Sequence, residues 1–365
     1  MADRTISVAL GTRSYDIKIG HHSLAQIGKL LRTRFSGSRI LVITDHNVAR
    51  YYLDDVIKSL EKEHFLTSSF LIYPGERSKS FTSACRIYDT LITEGYDSNS
   101  CIVALGGGVV GDLAGFTAAT YHRGITFCQI PTTLLAQTDA SIGGKVAVNH
   151  RLGKNLIGAF YQPVFVLIDI NSLETLPERH WKNGMAEVIK YAIIKDRNFF
   201  EFLEKQSLDK KPDSREVISE IVYTCCKIKS EIVSIDERDE SIRKHLNFGH
   251  TIGHAVESAA GIGKILHGEA IACGMISASY ISWKLGTLKK DEFLRIHNLI
   301  NSVGLGKSLP SMSLDKFADF LYRDKKRNEK GLKFILVSGI GTSYSVEGIK
   351  KSLIFESLKV IKNPI

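Results

Sequence analysis

Short apolar runs rich in β-branched residues recur through the first half of the chain, at Ile6–Leu10, Tyr15–Ile19, Arg39–Thr44, Ser69–Tyr73, Cys101–Leu105, Thr126–Ile130 and Val164–Asp169. Each has the length of one strand and predicts a β-strand. Between them, Val48–Lys62 and Phe81–Glu94 carry apolar positions at helical spacing. Strands alternating with helices predict β-α units joined into a mostly parallel sheet. After Leu176-Pro177 the pattern changes to helical periodicity over long segments, around Ala186–Lys195, Ser214–Ser234, His250–Ser258, Glu269–Leu285 and Lys290–Val303, with Leu332–Val337 the one strand-like run. The expected architecture is therefore an α/β domain of nucleotide-binding type over residues 1–177, followed by a mainly α-helical domain over 178–365. No internal repeat or low-complexity stretch interrupts this plan.

A length of 365 residues suits two domains, and 44% hydrophobic with 24% charged residues excludes a disordered or fibrous chain. The longest stretch without Asp, Glu, Lys or Arg, Gly124–Thr138, is 15 residues long and contains Pro131, too short and too broken to span a bilayer. The opening MADRTISVAL lacks the layout of a secretory signal, so a cytoplasmic address is expected. Six cysteines (Cys85, Cys101, Cys128, Cys225, Cys226, Cys273) form no C-x-x-C pair, which leaves neither a disulfide framework nor a thiolate zinc cage to be read. A net charge of +9 is compatible with nucleic acid, an anionic membrane or an anionic small substrate, and does not choose among them. Its one basic cluster, RDKKRNEK at Arg323–Lys330, reads as a solvated loop.

Chemistry concentrates in a few places. The strand-like Cys101–Leu105 runs into Gly106-Gly107-Gly108-Val109-Val110-Gly111-Asp112, a G-x-G-x-x-G pattern at a strand-to-helix junction. Glycines there admit a pyrophosphate against the backbone, and the opening N–H groups of the next helix face its charge; the alternative is a purely structural glycine turn. The acidic residue expected about 20 positions later is missing. An acid instead ends an earlier strand, Asp45 in LVITDHN. Gly304-Leu305-Gly306-Lys307-Ser308 mimics a P-loop but has Asn301 where the first glycine belongs, so it reads as a helix C-cap. In LNFGHTIGHAVES, His250 and His254 share one helix face, and His267 follows in LHGEA; upstream, Glu187 and Lys190 share a face in apolar text. Any single histidine is more often structural, but two histidines and a glutamate are a donor set for a catalytic zinc-like ion. Lys145, Lys154, Asn155, Lys229, Arg243 and Asn247 lie in glycine-rich or apolar text, where cations and amides suit anchoring of phosphate or carboxylate.

The segments GGGVVGDLAGFTAATYHRG, QIPTTLLAQTDASIGGKVAVNHRLGKNLIGAFYQP, LETLPERHWKNGMAEVIKY, IRKHLNFGHTIGHAVE and LHGEAIACGM closely resemble the 3-dehydroquinate synthases, of the sugar-phosphate cyclase family, and the match in order and spacing covers nearly the whole chain. The resemblance implies the second step of the shikimate pathway to chorismate and the aromatic amino acids, in which 3-deoxy-D-arabino-heptulosonate 7-phosphate becomes 3-dehydroquinate and phosphate. It implies catalytic NAD, a divalent metal (zinc foremost, cobalt as alternative) and a homodimer acting on a small phosphorylated sugar acid, with neither nucleic acid nor membrane as partner. Carried over by position, the metal ligands are Glu187, His250 and His267. NAD contacts are Asp45, Glu76, Lys79, Gly107, Gly108, Val109, Val110, Gly111, Asp112, Thr132, Thr133, Lys145, Lys154, Ser172, Leu173, Glu174 and Thr175. Catalytic and substrate contacts are Arg123, Asp139, Lys145, Asn155, Lys190, Lys229, Arg243, Asn247, His254 and Lys326. His122, Val146 and Ala192 depart from the family's usual residues and touch no carried-over ligand.

The implied mechanism oxidises the substrate's C5 carbinol, acidifying C6–H so that phosphate leaves and takes that proton; the hydride then returns, the ring opens and an aldol step closes the product. Such a route asks the protein for positioning and electrostatics more than for a general base. Three rivals stand against it. A metal-dependent polyol dehydrogenase shares the glycine loop and helical metal domain but gives no reason for Lys145, Asn155, Lys190 and Arg243. Another cyclase, such as 2-deoxy-scyllo-inosose synthase, is disfavoured by the text around Asp139 and Lys145. A nucleic-acid-binding protein rests on net charge alone.

Overall fold

The computed structural model describes residues 3–261, 264–306, 313–322 and 332–362. The chain divides into two compact units, Met1–Leu176 with Ser214–Arg238, and Pro177–Asp213 with Asp239–Ile365. The single cut expected after residue 177 is thus corrected at one helix. Arg215–Ile235, read as part of the second domain, packs in the first unit against its opening strand, where Arg4 pairs with Glu220 at 2.8 Å and Cys226 Sγ meets the Gln137 carbonyl at 3.2 Å.

The first unit contains β1 (Arg4–Val8), β2 (Tyr15–Gly20), α1 (Ile27–Arg32), β3 (Arg39–Asp45), α2 (His46–Lys62), β4 (Leu66–Ile72), α3 (Phe81–Thr93), β5 (Ser100–Gly106), α4 (Gly108–Thr120), β6 (Thr126–Pro131), β7 (Lys145–His150), β8 (Gly153–Phe160) and β9 (Phe165–Asp169). Seven strands form one sheet in the order β1-β2-β9-β6-β5-β3-β4, parallel except for the β1–β2 pair. Covered on both faces, central strands are apolar throughout, which is why their runs stand out in the sequence. Ile40 and Val42 of β3 join Val56 and Leu60 of α2 on one side, while Leu41 and Ile43 join Ile87, Leu91 and Leu113 on the other. Edge strand β4 begins earlier than its apolar run because Thr67 and Ser68 are polar edge positions. β7 and β8 form a separate antiparallel hairpin that periodicity did not reveal, since only Val146 and Val148 of β7 are large apolar residues turned to the core.

Chain connections diverge at β3 and β5. From β3 the chain passes through α2 to β4 on one side, and from β5 through α4 to β6 on the other. The crevice beyond the carboxyl ends of two such strands is where open α/β sheets bind ligands. Thr44 pairs with Leu105, so Asp45 stands level with Gly106 although it precedes it by a whole β-α unit and more.

The second unit opens with α5 (Glu178–Lys195) and α6 (Arg197–Glu204); after the excursion of α7 (Arg215–Ile235) into the first unit it continues with α8 (His250–Ala260), α9 (His267–Lys284), α10 (Lys290–Ser302), α11 (Leu314–Tyr322), the hairpin β10 (Lys333–Gly339) and β11 (Thr342–Glu347), and α12 (Lys351–Lys362). β11, with the sequence TSYSVE, is a half-exposed polar strand the apolar pattern could not show. α9 is the unit's axle: Ala270 through Ser282 are all buried, and α5, α8, α10, α12 and β10 pack around it. Where α8 crosses, Gly274 leaves no room for a side chain, since a Cβ there would lie 1.9 Å from the Gly249 carbonyl oxygen. Overpacking of this kind costs about 1–3 kcal/mol, and more when the obstacle is backbone. Gly274→Ala is expected to lower the melting temperature by several degrees, read by thermal unfolding.

Candidate functional site

In the first unit, β5 ends at Gly106 and α4 begins two residues later, its N-terminus carrying no side-chain cap. A helix start left open this way presents N–H donors to an anion. Small residues are needed for close approach: a Cβ on Gly111 would lie 2.6 Å from Gln129 Oε1, and one on Gly107 would crowd the Thr133 methyl at 3.1 Å and one on Gly108 the Ala140 methyl at 3.3 Å. Val109 and Val110 lie in the first turn of α4, with Val110 buried in the core. Thr132 donates its N–H to the Gly106 carbonyl at 3.0 Å, and its buried hydroxyl has no hydrogen-bond partner. Thr133 Oγ1 accepts from the Ala136 N–H at 3.2 Å. Asp45 caps α2, its Oδ1 accepting from the N–H groups of Asn47 (2.8 Å) and Val48 (3.2 Å).

Beside the glycine turn, the ammonium of buried Lys79 donates to Asp112 and to Asn155 Oδ1. Burial raises the Asp112 carboxyl above its ordinary pKa, with Lys79 pulling the other way. Glu76 accepts from Asn149 Nδ2 at 2.7 Å. The Ser172–Thr175 turn is tied down by two residues the sequence did not single out: Gln137 Nε2 donates to Ser172 Oγ at 3.0 Å, and the Tyr52 phenol lies 2.6 Å from Thr175 Oγ1 and donates to the Ser172 carbonyl at 3.1 Å. In the same stretch Leu173 is a core side chain, and Glu174 pairs with Arg215 at 3.0 Å.

Asp139 lies in a one-turn π-helix, Ala136–Ala140, a local form no periodicity signals. Buried Lys229 of α7 holds it, donating to its carbonyl at 2.7 Å and its Oδ1 at 2.6 Å. Lys145 is exposed at the start of β7, Lys154 is half-buried in β8, and Asn155 beside it takes a φ of +56°. Arg123 is exposed in a tight turn with His122, both left-handed at φ +65° and +47°. Of the other departures, Val146 and Ala192 are buried packing residues. Lys326 lies outside the described residues.

The second unit gathers the metal-type donors. Glu187 is fully buried, and the ammonium of Lys190, one turn on, pairs with it. Removing one partner of such a buried pair costs about 3–5 kcal/mol, because the remaining charge stays uncompensated. His250 and His267 are the first residues of α8 and α9 and turn their Nε2 atoms to Glu187 Oε1, at 3.6 Å and 3.4 Å. One donor atom from each of the three lies within 4.8 Å of the others. Donors about 2.0–2.2 Å from one tetrahedral ion stand roughly 3.3–3.6 Å apart, so these spacings fit. The Phe248 carbonyl faces His250 Nδ1 at 3.1 Å, which directs Nε2 inward. Burial and nearby Lys190 push the His250 pKa well down, leaving a neutral imidazole. Burial also works to lower His267, but the Glu187 and Glu257 carboxylates overcome it and lift His267 to about 9.

Two side chains set this convergence, and neither was legible as a motif. Asn183, one turn before Glu187, accepts the Gly268 N–H on its Oδ1 at 2.6 Å, fixing the start of α9 against α5. Glu269 accepts the Leu266 N–H at 2.8 Å and takes both arms of Arg179, at 2.8 and 3.0 Å. His254 stands beside the donors, its ring 5.2 Å from that of His250 and 5.9 Å from that of His267, and is exposed, as is Asn247. Arg243 is buried in the 3₁₀ turn just before α8. Among the described residues no helix is long and apolar enough to cross a membrane.

Comparison with known proteins places this geometry. Family models for the N-terminal and C-terminal parts of 3-dehydroquinate synthase match residues 69–183 and 184–327. The 3-dehydroquinate synthase of Desulforamulus reducens is 48% identical over 95% of this chain and 97% of its own. Among solved structures, a 2-deoxy-scyllo-inosose synthase complexed with carbaglucose-6-phosphate, NAD+ and Co2+ superposes with a TM-score of 0.89 at 29% identity, covering 99% of this chain and 100% of that one. The 2-epi-5-epi-valiolone synthase of Streptomyces hygroscopicus subsp. jinggangensis, with NAD+ and Zn2+ bound, superposes with a TM-score of 0.87 at 27% identity, covering 97% and 98%.

The donor geometry generates a direct check. His250→Ala removes one of the three candidate donors while leaving the buried Glu187–Lys190 pair intact, so, if the three hold an ion, the variant is expected to fold and to bind far less metal. Elemental analysis beside circular dichroism decides it; a folded variant keeping one equivalent of metal per chain removes His250 from the ligand set.

Proposed function

The chain belongs to the 3-dehydroquinate synthase family, and we propose that it converts 3-deoxy-D-arabino-heptulosonate 7-phosphate into 3-dehydroquinate and phosphate as an NAD- and metal-dependent lyase. The observation that carries this reading is the Glu187, His250 and His267 donor set with Lys190 paired to its carboxylate. When bound, NAD supplies a transient hydride acceptor and a divalent ion, zinc or cobalt, supplies Lewis acidity at a substrate hydroxyl.

The chain's own part is binding and placement. Glu187, His250 and His267 hold the ion. Lys190, Arg243, Asn247 and His254 are assigned to the substrate's anionic and hydroxyl groups, Arg243 by virtue of a planar fork suited to phosphate or carboxylate. Arg123, Asp139, Lys145, Asn155, Lys229 and Lys326 carry over from the resemblance as further contacts. The open start of α4 is assigned to the dinucleotide's pyrophosphate and Asp45 to a ribose hydroxyl, with Glu76, Lys79, Asp112, Thr132, Thr133, Lys145, Lys154 and the Ser172–Thr175 turn around them. Because the leaving phosphate itself takes the proton from the substrate's C6, these groups act by orientation and fixed charge. The same reading includes a homodimer and a cytoplasmic address.

Hydride removed and then returned leaves no net redox change. Turnover with the heptulosonate phosphate is therefore expected to release phosphate, to require NAD, and to show no steady growth of NADH absorbance. Stoichiometric NADH accumulation would instead identify a dehydrogenase.

Asp45 gives a second check. Asp45→Asn keeps an N-cap for α2 but loses the carboxylate. A charge-assisted hydrogen bond lost here is worth about 2 kcal/mol, or roughly thirtyfold in affinity. NAD is expected to bind that much more weakly, with its preference over the 2′-phosphorylated dinucleotide narrowed. Titrations of both dinucleotides that match the unaltered protein would place Asp45 outside the cofactor site.

A further inference from the structure

The histidine donors are oriented by unlike partners. His250 has its Nδ1 against a neutral backbone carbonyl, that of Phe248 at 3.1 Å. His267 has its Nδ1 facing a carboxylate, Glu257 Oε2 at 3.7 Å, while its Nε2 faces Glu187. Glu257 belongs to α8, seven residues after His250 and three after His254, so all three occupy one face of that helix. The helix that supplies one ligand thus also supplies a group facing the ligand on its neighbour.

Glu257 sits where a carboxylate is unfavourable on local grounds. It lies in the last turn of α8, where the helix dipole is negative, and its side chain is only 11% exposed. A ring N–H turned toward it offsets both costs. An imidazole that donates one N–H to a carboxylate has its tautomer and ring plane set and its other nitrogen made more basic.

We propose that Glu257 is the positioning residue of His267, holding Nδ1–H toward itself and Nε2 toward Glu187, and so sets the affinity and ligand field of the ion held by Glu187, His250 and His267. This rests on the metal reading of those three residues. It assigns no contact with substrate, cofactor or metal to Glu257.

The test uses the full-length protein stripped of metal and titrated with Co2+, followed by its visible absorption bands, with Zn2+ as competitor. The unaltered protein is expected to bind one equivalent. Glu257→Ala should bind Co2+ about 10–100-fold more weakly with shifted bands. Glu257→Gln, which keeps the shape and an acceptor oxygen but no charge, should fall between the two and carries the test if the alanine variant does not fold. Failure of the unaltered protein to bind Co2+ would overturn the metal reading itself. Unaltered affinity and bands in the folded variants, with or without a lowered melting temperature of the metal-free protein, would overturn the proposal alone, since a role limited to helix packing moves stability and not the ligand field.

Discussion

Burying the carboxylate of Glu187 is the constraint around which the second unit is arranged. A charge with no exposure is tolerated only beside compensating groups, and here Lys190 comes from the same helix while His250 and His267 come from two others. Three helices must therefore meet at one point with little freedom. The close crossing of α8 over α9 at Gly274, and the Asn183 carboxamide that receives the Gly268 N–H, bring the helix starts to that point. The electrostatic result is a pocket of donors already sorted, one histidine kept neutral by burial and the other held by carboxylates on both sides. Bringing such groups together in the folded chain moves the cost of assembling them into folding.

The first unit is built differently, around a helix start kept free of bulky side chains. The uncapped start of α4 offers N–H donors, and the glycines of the turn let a ligand and the neighbouring β6 segment come close. Buried Lys79 gathers half-buried Asp112 and the exposed Asn155 into a polar cluster next to that turn, drawn from three separate segments. A cluster like this is rigid only when its members satisfy one another, which ties the β7–β8 hairpin to the glycine turn. Arg123 and Lys145, by contrast, are exposed, one in a tight turn and the other at the start of β7.

Much was legible along the chain alone. The strand runs, the change to helical period after Pro177, the glycine pattern after β5, the Glu187–Lys190 spacing and the His250–His254 spacing are all properties of residues within one or two turns of each other, and local backbone geometry converts such spacing directly into a shared face. The ordered set of segments shared with the synthases carried the substrate and cofactors, information that no single motif contains.

Other features depended on residues far apart and were decided only by tertiary structure. Sheet order puts Asp45 level with Gly106, a juxtaposition that the linear spacing of the two residues does not show. α7 joins the first unit because its apolar face and Lys229 find partners in β1 and the π-turn, a choice its own periodicity cannot express. β7, β8 and β11 are strands because they pair, with side chains too mixed to announce it. Tyr52, Asn183 and Glu257 act through hydrogen bonds or charges reached across helix and sheet packing. A sequence specifies the faces its elements present, whereas which faces meet is settled by the packing of all of them at once.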